Sequence, residues 1–177
     1  LTLFREHMPL QEVVETLAGT LPTCQVRNLA YSTFTLVRVT DAGEMDIVEF
    51  DNPATFVFRG GFREEIAYEE RQIGPYLLRQ AHGQLEEGDC LVIASDGLTH
   101  AGLGGAEPLG WRWEAIVEHL EAFLSLNPEA EEIADNLIES ARNLYRQRIG
   151  DDTSLAVIAC RPFRQLTLAV GPPADAR

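Results

Sequence analysis

The sequence contains few positively charged residues. Its 177 residues include 14 lysines and arginines against 28 aspartates and glutamates, so the formal net charge is −14. A surface this acidic repels nucleic-acid phosphates and anionic lipid headgroups, so we expect no nucleic acid and no membrane among its partners. An anionic substrate would need a cation to mediate its binding.

Long apolar runs and a leader pattern are also missing. No stretch of about 18 uncharged apolar residues occurs, and Glu6 stands where a secretion signal needs an apolar core. We therefore predict a cytoplasmic protein. Hydrophobic residues make up 45% of the chain and recur in periodic runs, which argues against an intrinsically disordered acidic chain. The length suits one domain that buries about 70% of its unfolded surface.

Cysteine is scarce, and the common catalytic motifs are absent. Cys24, Cys90 and Cys160 are odd in number and far apart, so we predict reduced, buried residues rather than a disulfide or a thiolate metal site. The sequence has no Gly-x-Ser-x-Gly, Walker P-loop, His-Glu-x-x-His or Cys-x-x-Cys. The glycine-rich stretch 102–105 lacks the spacing of a dinucleotide-binding loop, and we interpret it as a mobile loop.

Hydrophobic periodicity predicts an α+β fold. Helical spacing follows Pro9 at 10–21 and returns at 113–124 and 130–144, with Asn127 as the predicted N-cap of the last helix. Residues 1–8 resemble the tail of an earlier helix. The predicted strands are 31–40, 44–50, 54–59, 62–66, 80–85, 90–95, 153–160 and 166–170, of which the first three should form an antiparallel meander.

Acidic residues stand where two strongly apolar strands meet loops. Asp96 follows strand 90–95 and precedes Gly97, while Asp151 and Asp152 open strand 153–160. A single Asp beside Gly at a strand end is usually an Asx turn. If the two strands lie side by side with these ends adjacent, however, the carboxylates converge and need a proton or a cation to offset their repulsion.

Oxygen ligands without nearby cysteine or histidine favour Mg²⁺ or Mn²⁺ over Zn²⁺. Such a cation can lower the pKa of water and bind phosphoryl oxygens, so the pattern indicates in-line attack by water on a phosphomonoester. Among the histidines, His100 is the one placed to reach this site, as a proton donor or a substrate contact. The alternative is an exposed loop histidine.

These residues carry a family resemblance. Leu-Val-Ile-Ala-Ser-Asp-Gly at 91–97 resembles the apolar strand and Ser-Asp-Gly motif of metal-dependent protein phosphatases, in the bacterial branch named after stage II sporulation protein E. Gly-Asp-Asp-Thr-Ser at 150–154, before an apolar strand, resembles its closing motif. Stretches 31–35 and 49–54 resemble its central hairpin, and the similarity covers residues 10–161.

The resemblance implies an antiparallel β-sandwich flanked by helices, the four-layer αββα arrangement of phosphatase 2C. It also implies a dinuclear Mn²⁺ or Mg²⁺ centre with Asp96 and Asp151 as ligands, whose bridging water attacks phosphoserine or phosphothreonine of a regulatory, signalling protein. Gly97 and Asp152 would lie around these ligands and hold them in position without binding the metal. Residues 98–110, with His100, would form a flap beside the substrate.

One departure from the family pattern shapes the remaining expectations. The other metal ligands of the family come from an earlier strand and an Asp-Gly-x-Gly motif, which this sequence lacks. We therefore expect an N-terminally incomplete phosphatase domain at 1–162 and a tail or further module at 163–177. We also expect weak or no metal binding and little phosphatase activity from this chain alone. The alternative is a regulatory module that keeps the fold without catalysis. An exposed sheet edge would also favour a homodimer.

Overall fold

The computed structural model describes residues 8–20, 33–73, 76–105, 107–146 and 152–160. Within these ranges the elements are α1 (Leu10–Thr20), β1 (Phe34–Val39), β2 (Glu44–Phe50), β3 (Phe56–Arg59), β4 (Phe62–Glu64), β5 (Glu69–Ile73), β6 (Tyr76–Gln84), β7 (Cys90–Ala94), α2 (Asp96–Thr99), α3 (Trp113–Leu124), α4 (Ala130–Leu144) and β8 (Leu155–Ala159). The predicted segments 1–7 and 166–170, together with Cys24 and Asp151, lie outside the described residues.

The strands form two antiparallel sheets. The first sheet has the order β1-β2-β6-β5, and the second sheet has the order β4-β3-β7-β8. Met45, Ile47 and Leu91 belong to the apolar layer between the two sheets. The predicted α+β class and antiparallel sandwich are confirmed.

Helices cover both outer faces of the sandwich. Leu10 and Val14 of α1 pack on Val48, Phe50 and Leu78 of the first sheet. The larger core lies between the second sheet and helices α3 and α4, where Phe56 and Trp113 stack with ring centroids 3.9 Å apart. The chain therefore has the four-layer arrangement that the family resemblance implied. In the ranges that the structure describes, no helix has the length and apolarity needed to cross a membrane.

The prediction of a meander was wrong at its third strand. β1 and β2 form a hairpin, but β3 pairs with β4 and β7 of the second sheet. Residues 51–55 carry the chain from one sheet to the other. Asp51-Asn52-Pro53 therefore belongs to a crossover between the sheets, and not to the hairpin turn that a meander requires.

The predicted start of the last helix was also wrong. Asn127 lies in the left-handed region, with φ of 54°, and the N-cap of α4 is Glu129. Glu129 and Glu132 form a capping box, in which each side chain accepts the backbone N–H of the other residue. Two orphan N–H groups are satisfied in this way, which a lone Asn two residues earlier could not achieve.

Candidate metal site

The ends of β7 and β8 that carry the acidic motifs lie side by side. Ala94 pairs with Leu155, and the Ser95 N–H donates to the Ser154 carbonyl at 2.9 Å. The Ser95 hydroxyl donates to the Asp152 carbonyl at 3.1 Å and accepts the Ser154 N–H at 2.9 Å. The predicted meeting of the two strand ends is therefore confirmed. Because Asp151 lies outside the described residues, its role as a ligand stays a prediction.

Gly97 allows the two segments to approach closely. A Cβ at this position would lie 2.5 Å from the Asp152 carbonyl oxygen and 2.8 Å from Thr153 Oγ1, which is closer than real Cβ atoms come. The Gly97 carbonyl accepts a hydrogen bond from the Tyr145 hydroxyl at 2.8 Å. Helix α4 therefore fixes the backbone directly after Asp96, and the missing side chain leaves room for the chain at Asp152.

Asp96 is the first residue of the four-residue helix α2. Its carbonyl accepts hydrogen bonds from the Thr99 hydroxyl at 2.8 Å and the His100 N–H at 2.9 Å. Its side chain is half-buried, and no residue of the described ranges forms a hydrogen bond or ion pair with its carboxylate. This carboxylate is therefore available to a cation, whereas an Asx turn would have occupied it.

The segment after Asp96 turns outward. Leu98 and Ala101 are fully buried, and half-buried His100 is the C-cap of α2. Beyond them, Leu103 and Leu109 are 57% and 76% exposed. This loop adjoins the candidate site in sequence, but its role as a substrate flap stays a prediction.

A buried charged pair at this end of the sandwich escaped the sequence analysis. The Glu49 carboxylate is completely buried and accepts the Thr55 N–H at 2.6 Å and the Tyr68 hydroxyl at 2.9 Å. Arg79 Nη2 lies 2.7 Å from its second oxygen. Burial and the adjacent Glu49 charge raise the pKa of Tyr68. The signal in the sequence was weak, because Glu49 is one of three acidic residues in β2 and its partner lies thirty residues away.

The residues present fit a divalent cation in part. The donors at the joined strand ends are oxygens, which suits Mg²⁺ or Mn²⁺. Within the described ranges, however, no group of three or more His, Cys, Asp or Glu side chains is placed to hold a metal. The described residues therefore do not complete a metal site, and the roles of Asp96 and Asp152 in one stay predictions.

At the opposite end of β7, the acidic residue is buried and its carboxylate has hydrogen-bond partners. Asp89, directly before β7, is 2% exposed and accepts hydrogen bonds from Arg59 Nη2 and the Glu86 N–H, both at 2.9 Å. A cavity of about 920 Å³ opens beside it, between the β3–β4 hairpin and the α3–α4 connection. Cys160 lines this cavity, and burial together with the Asp89 charge raises the pKa of its thiol.

Three solved structures of one bacterial phosphatase domain have a similar fold. The phosphatase domain of the cell fate determinant SpoIIE from Bacillus subtilis matches over 93% of this chain and 72% of its own, with 18% identity and a TM-score of 0.62. A crystal form of that domain without domain swapping matches over 94% and 72%, with 19% identity and a TM-score of 0.68. A third structure, presoaked with Mn, matches over 90% and 70%, with 18% identity and a TM-score of 0.62.

Of the two sequence comparisons, one finds a match. None of the curated proteins matches the chain. A sequence profile described as stage II sporulation protein E (SpoIIE) matches residues 2–161, which is most of the chain. With the fold and the joined Asp motifs described above, this match shows that the chain belongs to the stage II sporulation protein E family.

Proposed function

We propose that this chain is part of a protein phosphatase that hydrolyses phosphoserine or phosphothreonine in a regulatory protein, with Mn²⁺ or Mg²⁺ as cofactor. Asp96 and Asp151 are the proposed metal ligands, and Gly97 and Asp152 support them. The observation that carries this proposal is the junction of the two motifs, where Ser95 bonds to both Asp152 and Ser154.

Divalent cations explain how an acidic protein can act on a phosphate. With a formal net charge of −14, the chain repels a phosphomonoester unless a cation intervenes. A bound Mn²⁺ or Mg²⁺ would lower the pKa of water and neutralise charge on phosphoryl oxygens. The half-buried Asp96 carboxylate, without a partner in the described ranges, offers that cation an oxygen ligand.

The other residues at the junction of β7 and β8 hold the two strand ends close together. The Ser95 hydroxyl, by accepting from Ser154 and donating to Asp152, holds the start of β8 against the end of β7. Gly97 keeps the space between Asp96 and Asp152 free of a side chain. In hydrolysis, water attacks phosphorus, the bond from phosphorus to the serine or threonine oxygen breaks, and the leaving oxygen takes a proton. We assign His100, four residues beyond Asp96, to contact with this leaving side of the substrate.

Mn²⁺ titration of the chain tests the proposal. Electron paramagnetic resonance of free Mn²⁺ would measure binding to the wild type, to Asp96→Asn, and to Asp135→Asn as a control on an exposed carboxylate of α4. We expect weak binding that Asp96→Asn lowers about tenfold or more, since a charged ligand is lost. The control should bind like the wild type. Equal binding by all three proteins would overturn the assignment of Asp96.

Hydrolysis of a phosphoserine peptide with Mn²⁺ provides the second measurement. No group of three metal-ligating side chains occurs within the described ranges, so we expect little turnover from the chain alone and a dependence on Asp96 in any longer form that contains the remaining ligands. Asp96→Asn should abolish that turnover, and the Asp135→Asn control should retain it. Turnover that is independent of Mn²⁺ or of Asp96 would contradict the proposal.

A second candidate function is a regulatory module that keeps the fold and binds a partner without catalysis. It is favoured by one observation, that no group of three metal-ligating side chains occurs within the described ranges. The same Asp96→Asn variant separates the two functions. A phosphatase loses turnover, whereas a binding module retains its affinity for the phosphorylated partner protein.

A further inference from the structure

One side-chain amide connects the two sheets at the end where Asp96 lies. Asn52, in the crossover between β2 and β3, donates from Nδ2 to Thr35 Oγ1 at 2.8 Å and to the Ala94 carbonyl at 3.2 Å. Thr35 belongs to β1 of the first sheet, and Ala94 is the last residue of β7 in the second sheet. The Ala94 carbonyl is two residues before Asp96.

Asn52 is itself held in place by the buried charged pair. Arg79 Nη2 donates to the Asn52 carbonyl at 2.6 Å, and the same nitrogen lies 2.7 Å from Glu49. The Arg79 guanidinium also lies 5.2 Å from the centroid of the Tyr68 ring. Since Glu49 is completely buried, its charge persists only beside a partner such as Arg79. We call Glu49, Asn52 and Arg79 the inter-sheet bracket.

The backbone of the crossover supports the same interpretation. Asp51 has φ of 49°, a left-handed conformation that is unfavourable for a residue other than glycine. Its N–H donates to the Leu77 carbonyl at 2.9 Å, and Glu49 accepts the Thr55 N–H at the far end of the crossover. The surrounding contacts therefore impose this conformation on the chain beside Asn52.

The oxygen of the Asn52 side-chain amide accepts no hydrogen bond from the described residues. Both described contacts of the side chain use Nδ2, while Oδ1 is buried and has no hydrogen-bond partner in the ranges that the structure describes. A buried acceptor of this kind is costly unless water or another donor satisfies it. The two hydrogen bonds that Nδ2 donates, to Thr35 and to Ala94, therefore fix the orientation of the amide.

We propose that Asn52 is a positioning residue for the candidate metal site. By donating to the Ala94 carbonyl, it fixes the end of β7 against the first sheet, so that Asp96 stays beside Asp152. Arg79, which is paired with Glu49, holds Asn52 in turn. The claim that Asn52 serves metal binding rests on the proposed phosphatase function. The claim that Asn52 fixes the end of β7 does not depend on that function.

Amide hydrogen exchange measured by NMR tests the positioning directly. In Asn52→Ala, the Ser95 and Ser154 amides should exchange about tenfold faster, since each lost buried hydrogen bond promotes opening of the strand end. Amides in α3, such as that of Ile116, should change less than about twofold. The control Asn136→Ala removes an amide that contacts His119 on the helical layer, and it should leave Ser95 unchanged.

Two outcomes of this exchange experiment would overturn the positioning role. One is unchanged exchange at Ser95 and Ser154 in Asn52→Ala. The other is an equal increase at every amide, which would mean that Asn52 supports only the stability of the whole fold.

A conservative pair of variants keeps the test decisive if Asn52→Ala does not fold. Asn52→Asp preserves the size of the side chain but replaces the donating amide, so Ser95 should again exchange about tenfold faster. Thr35→Val removes one of the two acceptors and should have a smaller effect. If Asn52→Asp exchanged like the wild type, donation to Ala94 would not be what fixes the strand.

Mn²⁺ separates the positioning role from the proposed function. Paramagnetic broadening of the Ser95 and Gly97 amides should require about tenfold more Mn²⁺ in Asn52→Ala than in the wild type. Wild-type amides that never broaden would overturn the proposed metal site, yet the exchange experiment would still decide the positioning. Faster exchange with unchanged broadening would show that the positioning does not serve metal binding and would overturn the proposal.

Discussion

Two aspartates bracket the central strand β7, and their surroundings are opposite. Asp89, before the strand, is 2% exposed and holds Arg59 and the Glu86 N–H. Asp96, after the strand, is half-buried and has no described partner for its carboxylate. A buried carboxylate with its hydrogen bonds satisfied belongs to the fold, whereas an unsatisfied one beside a second acidic motif is available to a ligand. The comparison therefore separates a structural acid from a candidate functional one.

The largest effect should follow loss of the structural acid. Asp89→Ala removes the acceptor of the Glu86 N–H and the partner of Arg59, so the free energy of unfolding should fall by about 3 kcal/mol. Urea denaturation followed by circular dichroism measures this change. A loss below about 1 kcal/mol would mean that Asp89 is as dispensable as a surface residue.

A smaller effect should follow from filling the gap at the end of β7 that carries Asp96. Gly97→Ala places a Cβ 2.5 Å from the Asp152 carbonyl oxygen, so the segments must separate, at a cost of about 2 kcal/mol in unfolding free energy. Gly105→Ala is the matched control, because its Cβ would meet only the Gly102 carbonyl at 3.4 Å. Equal stability of the two variants would refute the close approach at Gly97.

Asp96, the candidate functional acid, should matter little to stability. Asp96→Ala, the counterpart of Asp89→Ala, should change the free energy of unfolding by less than about 0.5 kcal/mol, since no described partner of its carboxylate is lost. The same denaturation experiment measures it. A loss as large as that of Asp89→Ala would erase the distinction between the two ends.

The smallest effect should be a change in the titration of Cys160. Burial, and then the Asp89 charge, raise the pKa of this thiol, so alkylation by iodoacetamide should begin at higher pH than for a free cysteine. The folded state then holds the thiol proton more tightly, so this group's contribution to stability falls as pH rises from the unfolded to the folded pKa. Asp89→Asn should move the onset of alkylation to lower pH, with Cys160 identified by mass spectrometry. An unchanged onset would contradict the influence of Asp89.

Elements with strong apolar patterns could be predicted from the sequence. Continuous apolar runs predict β7 and β8, and the structure pairs these strands so that Ser95 lies beside Ser154. In contrast, β5 has the sequence Glu-Glu-Arg-Gln-Ile, which shows no alternation. It lies at the edge of the first sheet, and only its pairing with β6 makes it a strand.

Long-range charge pairing could not be predicted from the sequence. Glu49, one of three acidic residues in β2, gave no sign that Arg79 would pair with it, because the two become cross-strand neighbours only after β2 and β6 pair. The same holds for Asn52, whose acceptors come from two different sheets. Local patterns specify which segments become strands, while the residues that join the sheets depend on the assembled topology.

The layer between the sheets changes from hydrocarbon to charge along its length. Met45 and Ile47 lie in the apolar part, and Glu49, two residues further along the same strand, faces Arg79. A slip of two residues in the pairing of β2 with β6 would separate the buried carboxylate from its guanidinium, which costs far more than mismatched aliphatic side chains. The ion pair therefore favours the observed register of β2 and β6 over one shifted by two residues.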